Sequence, residues 1–300
     1  MDLEPFAQHL RDRDRAPATV RSYCQELARF AVWFEQTNGQ LLTPTALTGR
    51  DVREYREHGQ AVARSKPGTI NRRLVAIRAY AAWLVESGQL ASNPAQHVRL
   101  IEEQPLAPKA LDRKHLAALE REMERSLNAA ATDSARFLRT RDRAIVMLLV
   151  NSGLRVAELC ALEVADVVIG ERSGSVSVRR GKGNKARSVP LNVEARRPMT
   201  AWFGYLEETM QECDPLFCDH QGQHLTPRGV QHMLKEYGRR ASIEVTPHVL
   251  RHTFAKGLAD AGVRAEEIAA LLGHSKLETT RRYTQPSGRD LAVAVERLEG

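Results

Sequence analysis

The sequence predicts a mainly α protein with a small β-sheet, arranged as two domains. Three observations carry that expectation. Apolar residues recur at helical spacing through most of the 300 residues. The period falls to two in one stretch, 174–191, and a proline-bearing break separates an all-helical first part from a mixed second part. The domains are accordingly placed at 1–101 and 111–300, with 102–110 as a linker.

In the first domain, Tyr23, Leu27, Phe30 and Phe34 repeat at 4-3-4 spacing. Ile70, Leu74, Ile77, Ala81 and Leu84 follow the same rhythm, so each set is the buried stripe of an amphipathic helix. Shorter helices around 6–10 and 52–55 complete a four-helix unit. Arg64, Lys66, Arg72, Arg73 and Arg78 crowd the start of the last helix. Such a run is usually a solvated face, but positive charge at a helix N-terminus opposes the dipole, so an anionic partner is expected there.

The second domain opens with a Glu- and Arg-rich helix over 113–126 and a surface loop of small residues at 128–132. A buried helix then ends at Asn151-Ser152-Gly153, and the next helix puts Arg155, Glu158 and Leu162 on one side. An arginine opening an apolar segment needs a partner, and Glu158 can supply it. Strands at 175–178 and 187–189 flank Gly-Lys-Gly-Asn, a hairpin with Lys182 at its tip. The spacing of a Walker loop is absent, and a lysine on a turn is more often solvent-facing than catalytic. Cys213, Cys218, His220 and His224 invite a zinc reading, but their C-x4-C-x-H-x3-H spacing fits no usual structural template, and Cys213 is placed at a helix end. His248 and His252, four apart, lack the glutamate of a zinc-hydrolase motif. Thr226-Pro227 opens a helix with Val230, Met233, Leu234 and Tyr237 on its apolar side.

Residues 246–284 read as three helices. Thr246 caps the first and Pro247 occupies its first position, where a missing N–H costs nothing. His248 and Arg251 then project from one face, and Gly262 ends the helix. The second helix, with Ile268, Leu271 and Leu272 toward the core, stops at Gly273. Ser275 to Glu278 has the form of a capping box, which starts a third helix just after His274. Tyr283 lies about 12 Å along it. Taken alone, a tyrosine at that depth is expected to be core.

The net charge is +7, and only 8 of the 44 basic side chains are lysine. With a pI near 9.4 this favours a polyanionic partner. Arginine suits bidentate phosphate recognition, although a GC-rich coding sequence gives the same bias. Four cysteines in mostly apolar helical context fit a reducing compartment rather than a disulfide framework. No signal peptide and no membrane-length apolar run is visible, so the expectation is a cytoplasmic protein without a membrane partner.

Arg155 at a helix start, Lys182 on a hairpin, His248-x-x-Arg251, then Leu-Leu-Gly-His274 and Tyr283 stand in one order. With GLRVAEL, GKGNKAR, PHVLRHTFA, LLGHSKLETTRRYT and ATVRSYCQELARF around them, the chain resembles the tyrosine recombinase (phage integrase) family over nearly its whole length, and within it the Xer-like recombinases of bacteria. The resemblance implies a helical core-binding domain and an α+β catalytic domain that close on DNA as a C-shaped clamp. It implies Tyr283 as nucleophile, leaving a 3′-phosphotyrosyl bond and a free 5′-hydroxyl. Arg155 and Arg251 would clamp the non-bridging oxygens, Lys182 would protonate the leaving oxygen, and His248 would assist at the tyrosine. His274 would donate to the phosphate, with Glu158 supporting the Arg155 region.

Those roles are physically coherent. A phenol near pKa 10 needs cationic neighbours and a proton acceptor to attack at neutral pH, and fork-shaped arginines compensate the charge of a phosphoryl transition state. No metal or other cofactor is then expected. The expected partner is a double-stranded recombination site with paired inverted half-sites. It would be contacted by Arg64, Lys66, Arg72, Arg73, Arg78 and Lys185 among others. The enzyme is expected as a tetramer, homomeric or with a paralogous recombinase, working through a Holliday junction in the bacterial nucleoid. A C-terminal helix at 287–298, too short to be stable alone, is expected to dock on a neighbouring protomer. With helices starting almost at Met1, no arm-type DNA-binding extension is expected. The competing classes are a type IB topoisomerase and a non-catalytic DNA-binding architectural protein or repressor. The latter would have no need of Tyr283 and Lys182.

Overall fold

The computed structural model describes residues 1–102, 109–179, 186–209, 214–219 and 221–274, together with Thr280 and Tyr283. The expected linker residues 103–108, Lys182, Lys185, Cys213, His220, the Ser275–Glu278 box and the tail 287–298 lie outside them. The chain divides into two compact units, Met1–Pro105 and Leu106–Gly300.

In the first unit α1 (Glu4–Asp12), α2 (Pro17–Asn38), α3 (Gly49–Ala61) and α4 (Pro67–Glu86) pack around Phe6, Leu27, Phe30, Phe34, Ile70, Leu74, Ile77 and Leu84, all buried. The stripes read from the sequence are thus the facing surfaces of α2 and α4. α3 is closed by a capping box in which the side chains of Thr48 and Asp51 each accept from the other's backbone N–H. Tyr55 carries α3 onto the aromatic cluster, its ring 4.9 Å from that of Phe30.

The second unit is built on α6 (Asp133–Ser152), which starts earlier than its apolar run suggests because Thr132 caps it. Residues 144–150 are buried, as the central helix of a core must be. Helices α5 (Arg113–Asn128), α8 (Val193–Thr209) and α10 (Pro247–Asp260) pack on it, while α9 (Pro227–Arg240) packs on α5. Helix α8 stands where only a helix end at Cys213 was expected, and its Trp202 is anchored by an Nε1–H bond to the Leu216 carbonyl at 2.7 Å.

The sheet has three antiparallel strands, β1 (Val167–Ile169), β2 (Gly174–Val178) and β3 (Arg187–Pro190), in the order β1-β2-β3. Only the last two were legible, since a three-residue strand is too short to show alternation. Val176 sits opposite both Val167 and Val189, which gives the sheet one buried face. No helix among the described residues is long and apolar enough to cross a membrane. Cys218 and His224 face each other across an isolated bridge, and the His224 ring is occupied by the Cys160 carbonyl at 3.0 Å.

Candidate active site

Two helix ends and one strand create the site. Helix α6 stops at Gly153, in the left-handed region at φ 62°. A Cβ there would lie 2.4 Å from Phe254 Cδ1 and 2.7 Å from Leu272 Cδ2, so glycine is required by both conformation and space. Helix α11 (Ala265–Leu272) stops in the same way at Gly273, φ 64°. Each turn leaves carbonyls without helical partners. Arg251 takes one from each: Nη1 donates to the Gly153 carbonyl at 2.5 Å and Nη2 to the Leu272 carbonyl at 2.7 Å.

Arg251 is 5% exposed. Burial, and then the charge of Arg155, bring its guanidinium down to about 10, so it remains a cation at neutral pH. His248 leaves the same helix three residues earlier but ends in different surroundings. It is exposed and lines a cavity of about 580 Å³ with Gln231, Lys235, Arg239 and Thr246.

Arg155 opens its helix as the N-cap of α7 (Val156–Cys160). That helix is one short turn, and Leu162 lies beyond it. Glu158 grips Arg155 twice, accepting from its backbone N at 2.8 Å and from Nη1 at 2.7 Å. Arg155 Nη2 reaches the Gly273 carbonyl at 3.2 Å. Burial alone would raise the Glu158 carboxyl, but hydrogen bonds from Arg187 and then Arg155 outweigh it and hold the group at about 2.

Tyr283 is half-buried beside the small cluster of Ala255, Ile268 and Leu272, which satisfies the core expectation for its ring. Its hydroxyl is not buried in that cluster. It lies 2.5 Å from Nδ1 of His252, the residue after Arg251. His274 Nδ1 lies 2.8 Å from the hydroxyl of Thr280, which is fully buried.

Two residues of this site were not singled out from the sequence. In sequence His252 stands out only as half of an i,i+4 histidine pair. Arg187 was read as a strand residue, yet it lies two positions before the buried Val189, so the alternation already placed it on the inner face.

In the first unit, Arg64 and Lys66 are exposed, and Arg72 is half exposed while paired to Glu26 at 3.0 Å. Arg73 is largely covered beside the same carboxylate. Arg78 is tied to its own unit: its guanidinium donates to the carbonyls of Ala95 and Val98, pinning the segment after α4.

Comparison with known proteins agrees with this architecture. The model of the phage integrase family matches residues 118–289, and that of the phage integrase N-terminal SAM-like domain matches residues 3–88. The tyrosine recombinase XerC of Myxococcus xanthus is 33% identical over 299 residues, covering 96% of this chain and 94% of its own. The tyrosine recombinase XerA of Pyrococcus furiosus is 33% identical over 298 residues, covering 98% and 93%. Among solved structures, the XerH site-specific recombinase bound to palindromic difH substrate, a post-cleavage complex, superposes with a TM-score of 0.77 at 19% identity, over 99% of this chain and 84% of that one. A lambda integrase dimer bound to a COC′ core site gives 0.70 at 16% identity, over 96% and 95%.

Proposed function

The chain is a tyrosine recombinase of the phage integrase family, a DNA strand-transferring enzyme, and on that premise we propose how its residues carry the reaction. Tyr283 attacks a scissile phosphate and forms a 3′-phosphotyrosyl bond, and the 5′-oxygen leaves with a proton from Lys182. Arg251 and Arg155 hold the non-bridging oxygens. Each guanidinium has five N–H donors, so the carbonyl bonds of Arg251 leave donors for phosphate. His274, fixed by Thr280, donates to the phosphate. His252, with its ring proton on Nε2, accepts the Tyr283 proton, and His248 at the rim assists when DNA is bound.

The observation that carries this reading is the adjacency of Arg251 and His252 on α10. One helix turn thereby holds both a phosphate clamp and the partner of the nucleophile. The two-step chemistry conserves bond energy in the covalent intermediate and leads through a Holliday junction without ATP.

The partner is double-stranded DNA with paired inverted half-sites, bound by a tetramer, homomeric or with a paralogue, in the bacterial cytoplasm. Arg64, Lys66 and Arg72, exposed around the start of α4, and Lys185 contact the backbone. The stripe of Leu291, Val295 and Leu298 docks on a neighbouring protomer. A cavity of about 700 Å³ lined by Leu116, Met147, Val150, Phe254 and Leu258 suits it as receiving surface.

The test uses nicked duplexes and a denaturing gel. Wild type gives a covalent protein–DNA band; Tyr283→Phe gives none while still binding DNA. A band that persists in the variant removes Tyr283 as nucleophile. Binding should also weaken steeply with salt, because phosphate contacts release counterions; a flat response counts against backbone clamping.

A further inference from the structure

Resting on that reading, we infer that Arg187 is a positioning residue for strand cleavage, a strut that sets Arg155, the Gly273 turn and the start of β3 relative to one another. The inference comes from where its guanidinium goes. Nη1 and Nη2 donate side by side to Glu158 Oε1 and Oε2 at 3.0 and 2.7 Å, the fork-to-fork geometry that fixes a carboxylate in plane. Nε donates to the Leu271 carbonyl at 3.0 Å, in the last turn of α11.

Each of those contacts leads to a group proposed to touch phosphate. Glu158 holds the backbone and side chain of Arg155. The turn after Leu271 gives its Leu272 carbonyl to Arg251 and its Gly273 carbonyl to Arg155, and His274 follows at once. At its own position, Arg187 begins β3, five residues after Lys182 in the chain. One side chain thus connects a strand, a helix start and a helix end that are far apart in sequence.

The surroundings show that the fit is built. The Arg187 side chain is only 10% exposed and its charge is matched to Glu158. A Cβ on Gly273 would come within 3.0 Å of Arg187 Nη1 and 3.2 Å of its Cδ, so the glycine also makes room for the strut. A lysine has the charge but neither the planar fork nor the Nε donor, and it cannot hold Glu158 and Leu271 together.

Glu158 provides a readout that a merely structural role would not move. The charged groups facing it are Arg155 on its own turn, Arg187 from β3 and Arg251 at longer range from α10. Helices α6 and α9, also packed on α7, bring it no charged partner among the described residues. Without Arg187 the carboxyl should take up a proton nearer the ordinary range.

The experiment uses the full chain. A pool of nicked duplexes with randomised centres is first selected for covalent capture by wild type, and the recovered duplex serves for every variant. Arg187→Lys and Arg187→Gln should retain the duplex within about 3-fold but form the covalent complex roughly 10–100-fold more slowly, the scale expected of a small misplacement of catalytic groups. Arg187→Gln should also lose rate more steeply than wild type as pH falls toward 5. In DNA-free acid unfolding it should lose most of the slope that Glu158→Gln also lacks. Normal cleavage by Arg187→Gln, or slower cleavage that tracks a lower melting temperature with an unmoved pH profile, overturns the inference. No wild-type band in any pool, with the acid slope behaving as stated, would instead remove the recombinase reading and leave the strut.

Discussion

Glu26 in the first unit and Glu158 in the second are both buried, 3% and 8% exposed, and both gather arginines. The arginines differ. Around Glu26, Arg29 and Arg72 have side chains 58% and 52% exposed and make contacts of 3.2 and 3.0 Å, with Arg73 at 3.5 Å. Around Glu158, Arg155 and Arg187 are 27% and 10% exposed, and both approach to 2.7 Å. The Glu158 arginines are also tied to main-chain carbonyls of the Leu271–Gly273 turn. Arg29 and Arg72 are themselves more than half exposed, and either can rotate toward a phosphate at smaller cost because Arg73 stays beside the buried Glu26. Those around Glu158 cannot be moved without leaving a buried charge unpaired. On the proposed roles, one carboxylate serves a surface that adapts to a DNA backbone. On the same proposal, the other serves a reaction that depends on fixed geometry.

The largest effect is expected at Glu158. Glu158→Ala should reduce the rate of covalent-complex formation by roughly 100-fold or more and cost on the order of 3–5 kcal/mol of stability. Single-turnover cleavage and chemical unfolding measure the two. If cleavage falls no further than it does in Glu26→Ala, the two glutamates are equivalent and the comparison fails.

Next is acid. The folded Glu158 carboxyl sits at about 2 against an ordinary 4.5. Its folded value is depressed, so the stability it contributes is full above the ordinary value and is lost as pH falls from there toward 2. The total is on the order of 3 kcal/mol. Unfolding of wild type minus that of Glu158→Gln, measured between pH 5 and 3, isolates the slope. A difference that does not change with pH contradicts it.

The smallest effect belongs to Glu26→Gln, which frees Arg29 and Arg72 from a competing anion. DNA affinity at low salt should rise, by about 2- to 5-fold, and the salt slope should steepen. Weaker binding would show instead that Glu26 holds these arginines in a binding geometry.

Most of the helical architecture was legible because its signals are local. Thr246-Pro247 opens α10, with the Thr246 side chain accepting from Val249 N, and glycines end α6 and α11 where the pattern placed them. What the residues could not show without the resemblance was convergence. Nothing near Glu158 in sequence says that Arg187 will complete it, and no helical period joins Tyr283 to His252 across 31 positions. The i,i+3 spacing of Arg155 and Glu158 offered the pair itself, but not that Glu158 closes a one-turn helix onto its N-cap. Local spacing gives the neighbour along the chain, and burial then decides what that neighbour does.

Because Gly153 and Gly273 end their helices in left-handed turns, the negative ends of two helix dipoles converge on the Arg251 cluster. Those carbonyls already supply part of the compensation that a phosphate would bring. The cationic centre can therefore fold empty and meet its substrate with its shape set, with little ordering left to do on arrival. A receptor preset in this way does not by itself time the cut. On the proposed roles, timing then falls to the Tyr283 hydroxyl and its His252 partner, which the arginine cluster does not hold.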